Sequence, residues 1–452
     1  MKDEFISDVS RSEFLRRTGA LGIAGASALG FPLLETRPLD ARPLPPAKDI
    51  IAAAGPAVRI KIGHVDGFSG VYAAASESQQ TGLEAAIDAA NKKNSRVQFE
   101  IVRGDDANAA ATGSNEAKRL ISQAKVDVLT GCLSSAVGLA VSAIAEENNT
   151  FFLAIGTHDT NITGPKANKV TFRQTCSNAM LANAVGPALL KKGKKWYFLV
   201  ADYAFGVDGF VRLSRILQAN GGTVVGADKH PLGQTDYSSY LTRARNTDAN
   251  VLVFSNYGPD LQNASKQAVG LGLHKKMTFG GILNGNEVAV GMPCDDIPGA
   301  LFGYVWGPEA GGTRTKEIYN IIKARAKGFP PNWRQYLGFM AGESLTNRIM
   351  AAGTTDTSAL IHAFENYHYD AGKSAGAYFR KCDHQAVQQT YAGEIVPKDK
   401  RTAPDEYFKI ASTVGGEFAA ETCANPDSTA AEKIFASQTI GARADYTVVK
   451  TK

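Results

Sequence analysis

The stretch that most constrains this chain runs from Val126 to Thr157. It reads as a strand (Val126 to Thr130), a small-residue loop (Gly131 to Ala136), a helix with Val137, Ala140, Val141 and Ile144 at helical spacing, and a second strand (Phe151 to Ile155) ending in Gly156 and Thr157. Two strands joined by one helix lie parallel, and a parallel sheet is covered by helices. Such sheets offer their ligand crevice at the carboxyl ends of the strands, where Ser134, Ser135 and Thr157 fall. Hydroxyls and free backbone N–H groups at helix starts suit a small anion, typically a carboxylate.

The same alternation continues on both sides. Val58 to Val65 and Val97 to Val102 read as strands. Leu83, Ala86, Ile87 and Ala90, then Ala117, Leu120, Ile121 and Ala124, mark helices by the i, i+3, i+4, i+7 pattern. After a connecting strand, Val170 to Arg173, and an apolar helix, Ala179 to Leu190, a second round begins with Trp196 to Val200, an apolar run suited to a strand buried on both faces. Strands at Thr223 to Ala227 and Val251 to Phe254 follow, with helices at Phe205 to Ala219, Tyr237 to Arg245 and Asp260 to Leu271 and edge strands at Met277 to Gly280 and Leu301 to Val305. The expected class is α/β, with two doubly wound Rossmann-like lobes. Trp333 to Ala352 and Thr357 to Tyr367 are helical again, and their return to the first lobe makes a multi-segment hinge with a cleft between the lobes. The expected division is 57–175 plus 333–370 for the first lobe and 176–332 plus 371–452 for the second lobe and tail.

The chain has 452 residues, 44% hydrophobic and 21% charged, with a net charge of +5 spread along its length. No run of Lys and Arg alternates with aromatics, so nucleic acid is not an expected partner. Arg16-Arg17 precede an uncharged, Gly- and Ala-rich stretch, Thr18 to Leu34, which reads as a secretory signal. With the Pro- and Ala-rich linker behind it, it occupies 1–56. Ser10 to Leu15 resembles a twin-arginine export signal, with Ser12 where the second arginine belongs. Export permits disulfides. Of the five cysteines, Cys382 and Cys423 in the tail are one pairing, and a set of free buried thiols is the other reading.

No His pair has metal spacing, no Gly-x-Ser-x-Gly elbow occurs, and the glycine-rich loops lack the P-loop lysine and the full dinucleotide fingerprint. No catalytic residue, metal or cofactor is expected. Asp105-Asp106 and Asp295-Asp296 read as solvated turns.

Taken in succession, several motifs carry a resemblance. Gly63 to Gly70 (Gly-x-x-x-Gly-x-Ser-Gly), Gly131 to Ser135, Phe172-Arg173, Asp202 to Gly206 and Tyr257 before a helix resemble the periplasmic leucine/isoleucine/valine-binding proteins, the type I substrate-binding proteins of ABC importers. The resemblance runs from Val58 to Tyr367. It implies a two-lobed periplasmic receptor that closes on a small molecule and hands it to a permease in the inner membrane. Carried over by position, Ser134 and Ser135 match the loop that holds the ligand carboxylate, Ile155, Gly156 and Thr157 match the next strand end, Phe205 stands where the family has a tyrosine, and Tyr257 matches an aromatic that closes on the ligand.

The family also places a glutamate near the end of the strand at Met277 to Gly280, where this chain has Gly281 to Asn284. A buried ammonium without a charged partner costs several kcal/mol, so a free amino acid is disfavoured. Phe68, Tyr72, Tyr203, Phe205, Tyr257 and Trp306 suit a planar apolar body, which makes an aromatic or apolar acid the expected ligand. Ser69, Tyr72, Ser134, Ser135, Ile155, Gly156, Thr157, His158, Tyr203, Phe205, Tyr257 and Asn284 are the expected contacts. The competing readings are an exported enzyme using the same cleft and a sensor subunit that signals by the same closure.

Overall fold

Residues 57–326 and 330–421 are described by the computed structural model. The export signal and linker at 1–56, and Cys423, lie outside the described residues.

The first sheet holds β1 (Val58–Asp66), β2 (Val97–Asp105), β3 (Val128–Gly131), β4 (Phe152–Ala154) and β5 (Thr171–Arg173), all parallel, in the order β2-β1-β3-β4-β5. Helices α1 (Ala73–Lys93), α2 (Ala110–Arg119) and α3 (Ser135–Glu147) link the first four strands. The chain leaves β1 for β2 on one side and returns to β3 on the other, so the crevice opens at the carboxyl ends of β1 and β3. Both faces are apolar. Val65, Leu129, Val137, Val141 and Phe152 form one layer, while Ile60, Ile62, Leu83, Ile87, Val128 and Leu153 belong to the other. Each such side chain, fully buried, contributes about 1.5–3 kcal/mol.

Helix α4 (Asn178–Leu190) leads into the second lobe, built from β6 (Lys195–Ala201), α5 (Ala204–Ala219), β7 (Thr223–His230), α6 (Ser238–Arg245), β8 (Val251–Ser255), α7 (Pro259–Gly270), β9 (Thr278–Gly281), the short α8 (Asn286–Ala289) and β10 (Leu301–Tyr304). The chain then forms α9 (Thr315–Arg325), α10 (Trp333–Ala352) and α11 (Thr357–Phe364). Three short strands, β11 (His368–Tyr369), β12 (Ala377–Phe379) and β13 (Ala386–Val387), make a small antiparallel sheet. Strands β14 (Thr390–Ile395) and β15 (Phe408–Val414) follow, before a four-residue helix at Gly416–Ala419.

The second sheet has the order β15-β14-β10-β9-β8-β6-β7, parallel except for the two tail strands. Strands β9 and β10 are therefore interior, where edge strands were expected, because β14 pairs antiparallel along β10. Nothing in their own sequence announces that neighbour, which arrives some ninety residues later along the chain. Helix α9, assigned from sequence to the second lobe, packs on the first: Arg325 pairs with Glu84 at 2.7 Å and with Asp88, both on α1.

Helix α10 fixes the hinge. A capping box holds its start, with the Asn332 side chain accepting from the Arg334 and Gln335 amides and Gln335 reaching back to the Asn332 amide. The Asn332 side-chain Nδ2 also donates to Ser78 Oγ of α1 at 2.9 Å. The two helices approach so closely that a Cβ on Gly82 would overlap the Gln335 carbonyl oxygen, and one on Gly338 would overlap that of Gln79. This backbone contact sets the first turn of α10 beside Gln79.

Cys382 is disulfide-bonded, and the expected partner, Cys423, lies outside the described residues. Cys132, Cys176 and Cys294 are free and buried. Among the described residues no helix is long and apolar enough to cross a membrane, and no group of His, Cys, Asp or Glu is placed to hold a metal.

Candidate ligand-binding cleft

Strand β1 ends on Asp66, which is fully buried and organises the crevice floor. Its carboxylate accepts from Ser76 Oγ (2.9 Å), Gln79 Nε2 (2.6 Å) and the Leu133 amide (3.1 Å), and the His64 ring lies 3.3 Å away. Burial alone would raise its pKa, but His64, Leu133 and Ser76 outweigh that and hold it below the usual carboxylate range. Asp66 thus ties the loop before α3 to the first turns of α1.

Beside it, Asp106 is buried rather than solvated, correcting the expectation for the Asp105-Asp106 turn, because the backbone turns Asp106 inward while Asp105 stays exposed. Burial, with Asp66 nearby, pushes its pKa up to about 7. A raised carboxyl pKa favours the protonated folded form, so the cost grows as pH rises from about 4 and is complete above about 7. Asp106→Asn is therefore expected to be more stable than the wild type at pH 8, with the gap closing toward pH 4, as thermal melts across that range would record.

The lobes are shut against each other in this structure. Tyr72, just before α1, and Tyr203, just before α5, bond hydroxyl to hydroxyl at 2.6 Å. At a second point the amide and hydroxyl of Thr160 donate to Asp208 of α5 at 2.9 and 2.8 Å. Between them the Tyr257 ring stands 6.0 Å from Tyr72 and 5.9 Å from Trp333, and His158 lies 5.5 Å from Trp333 and 6.0 Å from Phe205.

Charge enters this aromatic enclosure from the hinge. The Arg334 guanidinium lies 3.9 Å from the Trp333 ring centroid and 4.7 Å from that of Tyr257, and its Nε donates to the Tyr257 hydroxyl at 3.2 Å. Tyr257 in turn donates to Glu287 Oε1 of α8 at 2.7 Å. Several buried polar atoms here have no hydrogen-bond partner within the protein: Arg334 Nη1, Gln79 Oε1, Ser134 Oγ and His158 Nε2. Groups of that kind carry a desolvation cost of about 1–3 kcal/mol each until something pairs with them. Two of them converge at Gly156, where a Cβ would stand 2.8 Å from both Arg334 Nη1 and Gln79 Oε1.

The expected contacts divide. The rings of Tyr72, His158, Tyr203, Phe205 and Tyr257 stand in one cluster, Gly156 lies beneath Arg334 and Gln79, Ser134 is buried at the start of α3, and Ile155 belongs to the apolar core. Ser134 is the residue before α3, yet its hydroxyl does not cap the helix. His158 is buried, and burial together with Arg334 drives its pKa well below normal, leaving a neutral ring. Its Nδ1 donates to the Cys176 carbonyl at 2.8 Å, so Nε2 is an acceptor.

The others are taken elsewhere. Ser69 is exposed, with its amide on Asp105. Ser135 Oγ accepts from the Asp159 amide, and Thr157 Oγ1 donates to the Cys132 carbonyl at 2.8 Å, both bracing the loops rather than facing the cleft. Asn284 bonds its own loop through the Gly285 amide and the Met292 sulfur. Among the expected aromatics, Phe68 sits under Arg103 and Trp306 stacks on Tyr336, so neither belongs to the cluster. A carboxylate does stand close after strand β9: Glu287, six residues beyond Gly281, accepts from the Tyr257 hydroxyl at 2.7 Å. Gln79, Glu287, Trp333 and Arg334 were not anticipated.

The comparisons agree with this architecture. A model of the family described as "Periplasmic binding protein" matches residues 59–401. A Leu/Ile/Val-binding protein homolog 8 of Brucella abortus is 30% identical over 342 residues, 71% of this chain and 83% of that protein. A periplasmic binding protein from Burkholderia mallei has a TM-score of 0.75 at 28% identity, covering 81% of this chain and 98% of the other. A solute-binding protein of a Rhodopseudomonas palustris ABC transporter, solved with benzoate, has a TM-score of 0.71 at 20% identity, with coverage of 79% and 97%. A match over most of its length, on two parallel lobes shut around a polar and aromatic interior, places the chain in the periplasmic binding protein family, as a type I member.

Proposed function

We propose that this chain is the periplasmic receptor of an ABC-type importer, capturing a small carboxylate with an aromatic or apolar body by closure of the two lobes and delivering it to an inner-membrane permease. The observation that carries the reading is Arg334: a buried guanidinium with a free Nη1 directed at Gly156, where the floor has no side chain. A carboxylate supplies the anion that a desolvated cation requires. The rings of Tyr72, Tyr257, Trp333 and Phe205 supply faces for a planar body. The same fold accommodates benzoate in the Rhodopseudomonas palustris protein.

A second reading, a free amino acid, is favoured by one observation. Glu287 sets a carboxylate beside Tyr257 that would suit an ammonium, so the argument from a lost carboxylate no longer holds. Burial, however, raises the Glu287 pKa, and one of its oxygens is held by Tyr257. Calorimetric titration of the purified protein with benzoate and leucine decides between them. Benzoate binding tighter than leucine is the expected result, and tight leucine binding with none for aromatic acids rejects it. Recovery of the bound acid unchanged separates a receptor from an enzyme.

A further inference from the structure

The Arg334 guanidinium does not face the floor alone. Gln79, fully buried on α1, brings its side-chain amide to the same point over Gly156, and the oxygen of that amide has no partner. Its orientation is set from behind. Gln79 Nε2 donates to Asp66 at 2.6 Å, and an ionised carboxylate only accepts, so the amide nitrogen is committed to Asp66 and Oε1 must face the cleft. Asp66 is itself fixed by Ser76, the Leu133 amide and the Gly67 amide, so rotating the amide would break the bond to Asp66 and set two acceptors against each other.

The floor therefore presents a donor and an acceptor side by side. A plain carboxylate satisfies Arg334 with one oxygen and turns its other lone pairs toward Gln79 Oε1, which repels them. A head group with an oxygen for Arg334 and an adjacent N–H or O–H for Gln79 satisfies both. An ammonium finds its charged partner in Glu287, whereas a neutral acceptor such as Gln79 suits a hydroxyl or an amide N–H. His158 Nε2, a second acceptor fixed by the Cys176 carbonyl, adds to the call for donors.

Resting on the receptor reading above, we propose that Gln79 is a specificity-determining residue, positioned by Asp66, which selects ligands bearing a hydrogen-bond donor beside the oxygen that Arg334 holds. The donor is a hydroxyl on the carbon next to the carboxylate.

Mandelate and phenylacetate differ by that donor alone. Calorimetric titration of the full chain is expected to show a preference of about tenfold or more for mandelate. Gln79→Met, which keeps the volume but removes the acceptor, is expected to bring the ratio to about one while the melting temperature stays near that of the wild type. Asp66→Asn lets the Gln79 amide turn and is expected to lower the same ratio, a readout that a purely structural role would not move. Because Asp66→Asn also disturbs Leu133 and Ser76, Gln79→Met remains decisive if that variant does not fold.

Equal wild-type affinities for mandelate and phenylacetate, or a preference that survives in Gln79→Met, overturn the inference. If both bind without preference and lose affinity in Arg334→Met, the inference alone falls and the carboxylate reading stands. If no probe binds, both fall.

Discussion

Arg334→Met is expected to weaken binding of benzoate about 100-fold or more while leaving the melting temperature of the protein unchanged or raised. The two halves of that result have one cause. Arg334 is 2% exposed, and although its Nε reaches Tyr257 and its plane lies over Trp333, no carboxylate lies within ion-pair distance among the described residues. Leaving a buried carboxylate without its cation costs about 3–5 kcal/mol, and each 1.4 kcal/mol is tenfold in affinity. Methionine, similar in length and apolar, fills the space between the rings without that requirement, and such replacements are often neutral or stabilising. Calorimetry and thermal melts on the same samples measure both. An affinity within threefold of the wild type would remove Arg334 from the site.

The second large effect is structural. Gly82→Val is expected to destabilise the protein by about 3 kcal/mol or more, because the new side chain lands on the Gln335 carbonyl, which is backbone and cannot swing aside. Moving α10 away from α1 displaces Arg334 from Gln79 and uncouples the hinge from the floor of the cleft, so ligand binding falls together with stability. Gly270→Ala is the control: at the end of α7 its Cβ meets nothing within 4 Å, and its melting temperature is expected to stay at or slightly above that of the wild type. Denaturant melts of the two variants give the comparison. Equal stability would mean that the close approach of α1 and α10 does not set the hinge.

The alternation of strands and helices was readable because periodicity is local: β1 to β5 and β6 to β8 follow from apolar runs, and Trp333–Ala352 follows from its helical pattern after the prolines. What escaped was non-local. β9 and β10 read as edges since β14 arrives from the tail, and α9 joined the first lobe through Arg325, whose partners lie on α1. The cleft residues that face one another carry local signs of a different kind. Arg334 places a cation in the first turn of a helix, where the dipole disfavours it. Gln79 shares an inward helix face with Leu83 and Ala86, a position where a polar residue calls for a partner. Ser135 and Thr157 sit at the expected loops, but each hydroxyl also makes a loop contact that spacing cannot reveal.

The rims of the seven-stranded sheet have a consequence for how the protein behaves in company. The second half of strand β7 alternates exposure, and its Asp228 and Lys229 are tied to Arg243 and Asp202. Strand β15 likewise turns every second residue outward, with Lys409 paired to Glu394. Charged borders of this kind deny an extended neighbour a flat template, so strand addition along either rim of this sheet is disfavoured.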